Sequence, residues 1–246
     1  MNRHDAALQK DVAIANRILE RTGLAGAFGH ASARLATPNR FVIPTRRSPG
    51  LADEHALLAL DTDGVVHAGD GQPNSESWIH ARVYAARGDV RAVVHAHPPA
   101  CVCLTQIGEP LRVVHNHGGP FIDGVPEYGE VGLIRTRELG DKLAATLGGG
   151  IAVMMRGHGI TTVAADVRTA TVAALFCEES AALQLRMLAA AGGDPRRVRA
   201  YTREEAARVA DQLGASIVER AWEYYAAVAE SRPLGAAVGS VAPFLY

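Results

Sequence analysis

The chain has 246 residues, 48% of them hydrophobic, and its 25 basic and 26 acidic side chains give a formal net charge of −1. That length and apolar content suit one large α/β domain with a sizeable core and exclude a disordered chain. The balanced charge excludes a nucleic-acid surface and a polybasic membrane patch, and no stretch approaches the roughly 20 apolar residues of a membrane-spanning helix.

The polar, amphipathic start MNRHDAALQKDVAIANRILE does not read as a signal peptide, so a cytoplasmic protein is expected. Its apolar positions Leu8, Val12, Ile14, Ala15, Ile18 and Leu19 fall at helical spacing, which predicts a helix over 5–22 closed by Thr22-Gly23. Ala33-Arg34-Leu35 and Arg40-Phe41-Val42-Ile43 read as short strands around a turn. A loop rich in Arg, Ser, Pro and Gly follows over 44–50. Residues 57–60 and 65–67 read as a hairpin. Residues 75–87 read as a helix, and the β-branched run 92–97 as a strand stopped by Pro98-Pro99. A short helix is expected from Pro99 to Thr105, and a longer one over 136–147. Residues 151–155 read as a buried strand, Gly157-His158-Gly159 as a tight turn, and 161–163 as a further strand. Helices are expected over 167–191 and 203–230, with a linker-like tail over 234–246. The interleaving predicts one α/β domain over 1–246, with helices on the faces of a mostly antiparallel or mixed sheet. The three cysteines, Cys101, Cys103 and Cys177, read as buried small hydrophobes in a reducing compartment.

His95 and His97 stand two residues apart on a strand, so both imidazoles can point to one face. Pro98 places the pair at a strand end. His158 sits between two glycines, which let the backbone turn sharply and approach a ligand closely. Three neutral imidazoles with an open position suit a divalent ion: zinc or manganese first, cobalt or iron as alternatives. Glu76, which opens the helix just before the His95 strand, is the candidate for a further ligand or a proton carrier.

Five segments carry a resemblance to the class II aldolase/adducin family. They are Gly29-His30-Ala31-Ser32, Arg47-Ser48-Pro49-Gly50, Pro73-Asn74-Ser75-Glu76, Ala92-Val93-Val94-His95-Ala96-His97-Pro98 and Arg156-Gly157-His158-Gly159. The resemblance implies a single three-layer α/β/α domain with a central, mainly antiparallel sheet. It also implies a homotetramer with active sites at subunit interfaces, His95, His97 and His158 as metal ligands, and Glu76 as ligand or proton carrier.

The chain departs from the sugar-phosphate members of that family. His30 stands where they carry Asn, Arg46 and Arg47 occupy the second loop, and Asn74 precedes Ser75. A phosphate cradle uses backbone amides and small hydroxyls, whereas arginines suit a planar carboxylate. The Gly-His-x-Ser and Arg-Ser-Pro pattern is similar to the branch that decarboxylates hydroxyaromatic acids such as a dihydroxyphthalate or a hydroxypyridine dicarboxylate. That branch implies substrate contacts at His30, Ser32, Arg46, Arg47, Ser48, Gly50, Asn74 and Ser75. It also places the loop of His115 and His117 near the metal, as proton carriers beside Glu76. The alternative readings are solvated loop charges for Arg46 and Arg47, loop polar groups for His115 and His117, and a structural role for His30. His4, His55, His67 and His80 are assigned to the surface or the scaffold.

The expected reaction is a non-oxidative decarboxylation of a small carboxylate through a metal-stabilised enolate-like intermediate, with no organic cofactor. A sugar-phosphate aldolase or epimerase is the alternative. A scaffold that has lost its chemistry and a metal-dependent oxygenase are more remote.

Overall fold

The computed structural model describes residues 3–231 and 233; the tail expected over 234–246 lies outside the described residues. Eight strands form one sheet: β1 (His30–Arg34), β2 (Arg40–Pro44), β3 (Leu57–Asp61), β4 (Val66–Ala68), β5 (Ala92–Ala96), β6 (Glu127–Tyr128), β7 (Ala152–Met155) and β8 (Gly159–Ala164). Their order is β4-β3-β2-β1-β5-β8-β7-β6. Every pair is antiparallel except β6 with β7.

The described residues form seven helices: α1 (Arg3–Arg21), α2 (Ser77–Ala86), α3 (Pro99–Ile107), α4 (Arg137–Leu147), α5 (Val167–Ala190), α6 (Arg203–Gln212) and α7 (Ala215–Ser231), with α2 and α4 on one face of the sheet and α1, α3, α5 and α7 on the other. The period-2 alternation of the central strand decides which side chain meets which layer. Ala92, Val94 and Ala96 of β5 pack into a core shared with α1, α3, α5 and Trp222 of α7. Val93 packs oppositely, into a core with Ile79, Val83 and Tyr84 of α2 and Leu143 and Leu147 of α4. Each fully buried Ile, Leu or Val on these faces contributes about 1.5–3 kcal/mol relative to exposure. The expected three-layer domain with a mainly antiparallel sheet is the fold observed. No described helix is long and apolar enough to cross a membrane.

Four local readings need correction. The first strand begins at His30, earlier than its expected start at Ala33, and Leu35 instead bonds Arg40 across the turn at 2.9 Å. The small residues Ala31, Ser32 and Ala33 hid the strand, because they lack the β-branched signature. The helix expected over 203–230 is two helices, broken at Leu213 and Gly214; glycine weakens a helix interior. β6 escaped sequence reading because it has only two residues. Cys103 is exposed, whereas Cys101 and Cys177 are buried, and all three are free thiols.

Candidate metal centre

The alternation that puts Val93 on the α2 and α4 face puts His95 there too. His95 is fully buried, and its Cα stands opposite His30 of β1 on one side and Thr161 of β8 on the other. Its Nδ1 donates to the carbonyl of Ile160 at 3.0 Å, which leaves the Nε2 lone pair free. His97 leaves the ladder just beyond β5, where its backbone N–H donates to the carbonyl of Leu24 at 2.7 Å. Behind it, the amides of Ala100 and Cys101 at the start of α3 donate to Glu178 at 3.0 and 3.1 Å, which anchors the turn.

His158 tops the β7–β8 hairpin. Gly157 there takes φ 64°, a left-handed conformation that suits glycine. Gly159 lies so close to β5 that a Cβ would overlap the carbonyl oxygen of Ala96. His158 therefore sits beside the end of β5, its ring centroid 5.0 Å from that of His95 and 5.1 Å from that of His97. Glu76 stands just before the first residue of α2, and its side chain turns away from the helix start. Its Oε1 accepts the Ile134 N–H at 2.9 Å, and its Oε2 lies 3.7 Å from His158 Nε2.

Ligand-type atoms of Glu76, His95, His97 and His158 all lie within 4.8 Å of one another. The set fits a divalent cation on three observations. His95 Nε2 and His97 Nε2 face each other at 3.0 Å. Both ring nitrogens of His158 are buried without a hydrogen-bond partner; such groups are costly unless something satisfies them. Burial first, and the neighbouring imidazoles second, hold His95 well below the ordinary range of histidine and His97 at about 4, so both rings are neutral, the form in which an imidazole can bind a cation. Glu76 remains a carboxylate: burial pushes it up, but His158 and the Ile134 amide outweigh that and lower it overall.

A pocket of about 670 Å³ opens over this cluster. Glu76, His97 and His158 line it together with His30, Arg46, Arg47, Ser48, Asn74 and Ser75. Ser32 and Gly50, expected as substrate contacts, are buried and absent from the lining. Ser32 faces α2, and Gly50 lies inside a 3-10 turn over Pro49–Leu51. His115 and His117 are absent from the lining as well. They pack on α5, where His115 Nε2 lies 2.9 Å from Ser180 Oγ and His117 Nδ1 lies 2.7 Å from Glu179. With Glu179 they form a second group that could hold a metal.

Sequence reading missed Arg135, Phe28 and Leu133, all of which line the pocket. Phe28 is 73% exposed there. Reading also left His80 as an undifferentiated scaffold or surface residue. It is fully buried on α2, with Nε2 2.6 Å from His30 Nδ1 and Nδ1 2.6 Å from Ser32 Oγ. Ser32 Oγ in turn lies 2.8 Å from the Tyr84 hydroxyl. Burial is also the main reason that His30 is held at about 4, and so is neutral. His55 and His67 are exposed, the latter paired with Asp61.

The model of the Class II Aldolase and Adducin N-terminal domain matches residues 10–185. The chain is 29% identical over 237 residues to the 3,4-dihydroxyphthalate decarboxylase of Arthrobacter keyseri, covering 89% of this chain and 92% of the relative. It is 24% identical over 176 residues to the L-fuculose phosphate aldolase of Methanocaldococcus jannaschii, covering 71% and 93%. Among solved structures, an aldolase II superfamily protein from Pseudomonas syringae superposes with a TM-score of 0.82, at 23% identity and 94% coverage of both chains.

Proposed function

The chain belongs to the class II aldolase and adducin family, and from that premise we propose that it is a metal-dependent lyase that decarboxylates a hydroxyaromatic dicarboxylate of the dihydroxyphthalate type. One observation carries the choice of substrate. Arg46, Arg47 and Arg135 line the same pocket as the cation ligands, together with His30 and the apolar side chains of Phe28 and Leu133. Guanidinium groups bind carboxylates in a planar, bidentate fashion, and an aromatic or apolar wall suits a flat ring. The similarity to a dihydroxyphthalate decarboxylase over nearly the whole chain supports the same choice.

His95, His97 and His158, with Glu76, would hold the divalent ion, zinc or manganese by preference. Once bound, it would supply a Lewis acid that draws off the electrons left on carbon when carbon dioxide departs. The protein's own residues do the rest. Arg46, Arg47 or Arg135 neutralises a second carboxylate and fixes the ring's register. Ser48, Asn74 and Ser75 offer hydrogen bonds at the pocket rim. The bond between ring and carboxylate carbon breaks, and its electron pair passes into the ring toward the phenol oxygen. The ring carbon then takes a proton from an acid. Glu76, a carboxylate at rest, would take the proton of the substrate's phenol as it binds and return it to the ring carbon. His115 and His117 are the other candidates, and their side chains lie outside this chain's own pocket. In the homotetramer that the reading includes, with sites at subunit interfaces and in the cytoplasm, their loop serves the pocket of a neighbouring copy. No organic cofactor is needed.

A second reading, retro-aldol cleavage of a ketose 1-phosphate, is favoured by Ser48, Asn74 and Ser75 in the lining and by the similarity to an L-fuculose phosphate aldolase. The test is a release screen with the zinc- or manganese-loaded protein. Carbon dioxide from 3,4-dihydroxyphthalate, with no aldehyde from L-fuculose 1-phosphate, is the expected outcome. Aldehyde release without carbon dioxide would overturn the reading in favour of the second.

A further inference from the structure

His30, His80, Ser32 and Tyr84 form an unbroken chain of polar side chains buried between the sheet and α2. The sheet builds it. His30 and Ser32 alternate with Ala31 and Ala33 on β1, so both reach the α2 face, where His80 and Tyr84 lie one helical turn apart. All four are buried, and Phe41 stacks on the far side of His80 with an interplanar angle of 15°. The rings of His30 and His80 are 4.8 Å apart between centroids.

The protons in this chain can be counted. Tyr84 has a single hydroxyl hydrogen; its oxygen accepts from the backbone N–H of Val93, and Ser32 Oγ, 2.8 Å away, is the partner left to take that hydrogen. If Ser32 spent its own hydrogen on Tyr84, the Tyr84 hydrogen would be buried with no acceptor, which costs about 1–3 kcal/mol. Tyr84 therefore donates to Ser32, and Ser32 donates to His80 Nδ1. His80 then carries its proton on Nε2 and donates it to His30 Nδ1. His30 is left with its proton on Nε2, the ring nitrogen not engaged by His80, on a side chain that lines the pocket. From Tyr84 to His30 Nδ1, every hydrogen has an acceptor in this one direction only, and the remaining ring N–H of His30 meets the Asn74 side chain at the pocket.

We infer that His80, backed by Ser32 and Tyr84, is a positioning residue that holds His30 in the Nε2-protonated tautomer, so that His30 meets an anionic substrate oxygen as a neutral hydrogen-bond donor. The role of the donor rests on the substrate reading above; the tautomer does not. Such a donor favours carboxylate or phenolate oxygen and offers nothing to a substrate group that must itself donate. It also explains why Ser32 matters without touching the pocket.

The test has two arms. In the first, the protein is labelled with 15N-histidine, and long-range 15N–1H correlations read each tautomer at neutral pH, with and without zinc and with no substrate present. His30→Asn assigns the signal. Wild-type protein should show His30 protonated at Nε2, with Nδ1 as an acceptor. Ser32→Ala removes the donor to His80 and should leave a mixture of tautomers; Tyr84→Phe, the milder change, should shift the balance the same way. In the second arm, Ser32→Ala should raise KM for 3,4-dihydroxyphthalate about tenfold, with kcat within about threefold; the unfolding midpoint should fall, because the buried Tyr84 hydrogen loses its acceptor. A wild-type His30 protonated at Nδ1, or a Ser32→Ala protein with the wild-type tautomer, would overturn the inference. Because the first arm uses no substrate, an Nε2-protonated His30 in a protein that releases no carbon dioxide would sustain the inference about His80 while rejecting the decarboxylase reading.

Discussion

The Nε2 atoms of His95 and His97 lie 3.0 Å apart, and the Ile160 carbonyl claims the only proton that His95 carries as a neutral ring. His95 thus presents a lone pair to its neighbour. Nitrogens arranged this way need either a shared proton or a cation between them. The unpartnered ring of His158 and the carboxylate of Glu76 beside the pair make a cation the better match.

Glu76 is placed to act twice: its Oε1 is held by the Ile134 amide, and its Oε2 faces His158. Glu76→Gln keeps the shape and one acceptor but removes the charge. Turnover should fall by about 10² to 10⁴, with bound metal reduced and the unfolding midpoint little changed. Steady-state kinetics beside metal analysis checks this; a variant with full turnover would remove Glu76 from the site.

Arg47 and Arg135 both line the pocket. Arg47→Ala should raise KM for a dicarboxylate tenfold to a hundredfold, as expected for loss of one charged hydrogen-bonded contact of about 1.5–3 kcal/mol. A hydroxyaromatic monocarboxylate should be affected far less. Equal effects on both would reject a grip on the second carboxylate.

Gly159 permits the close approach of β8 to β5 that sets His158 beside His97. Gly159→Ala would drive a methyl group into the Ala96 carbonyl. A loss of about 3 kcal/mol or more is expected, with weaker metal binding. Thermal unfolding and metal titration measure both. An unchanged midpoint would mean that the strands separate without cost.

The metal-free protein should lose stability as pH falls. His30 is held at about 4 against an ordinary 6.5. Between those values the unfolded chain binds a proton that the folded chain excludes. Its contribution is intact above 6.5 and is lost as pH falls toward 4, by about 3 kcal/mol. Urea unfolding in chelator at pH 7 and pH 4.5 reads the difference. His30→Asn should flatten the slope by that amount; parallel slopes would contradict it.

The histidine cluster was legible because its parts carry local signs. His95 and His97 alternate on a β-branched run, and His158 stands between glycines. The layered fold was legible from the interleaved helical and strand periods. His80 gave no such sign, since nothing local tells a helix which face will meet a row of polar side chains from β1. Arg135 and Phe28 belong to loops that only tertiary packing brings to one pocket. Ser32 was recognised in a motif, yet the motif could not tell a residue that contacts substrate from one that supports such a residue. His115 and His117 pose the reverse case: their chemistry is plain, and their place beside Glu179 is set by packing on α5.

The central claim is that the histidine cluster holds the ion on which carbon dioxide release depends. Its most direct measurement is metal content per chain, taken with the initial rate of release from 3,4-dihydroxyphthalate, for the native protein, His95→Ala and the more exposed His97→Ala. A stoichiometric divalent ion in the native protein, with metal and rate lost together in both folded variants, is the expected result. A variant that keeps both full metal and full turnover would contradict the account.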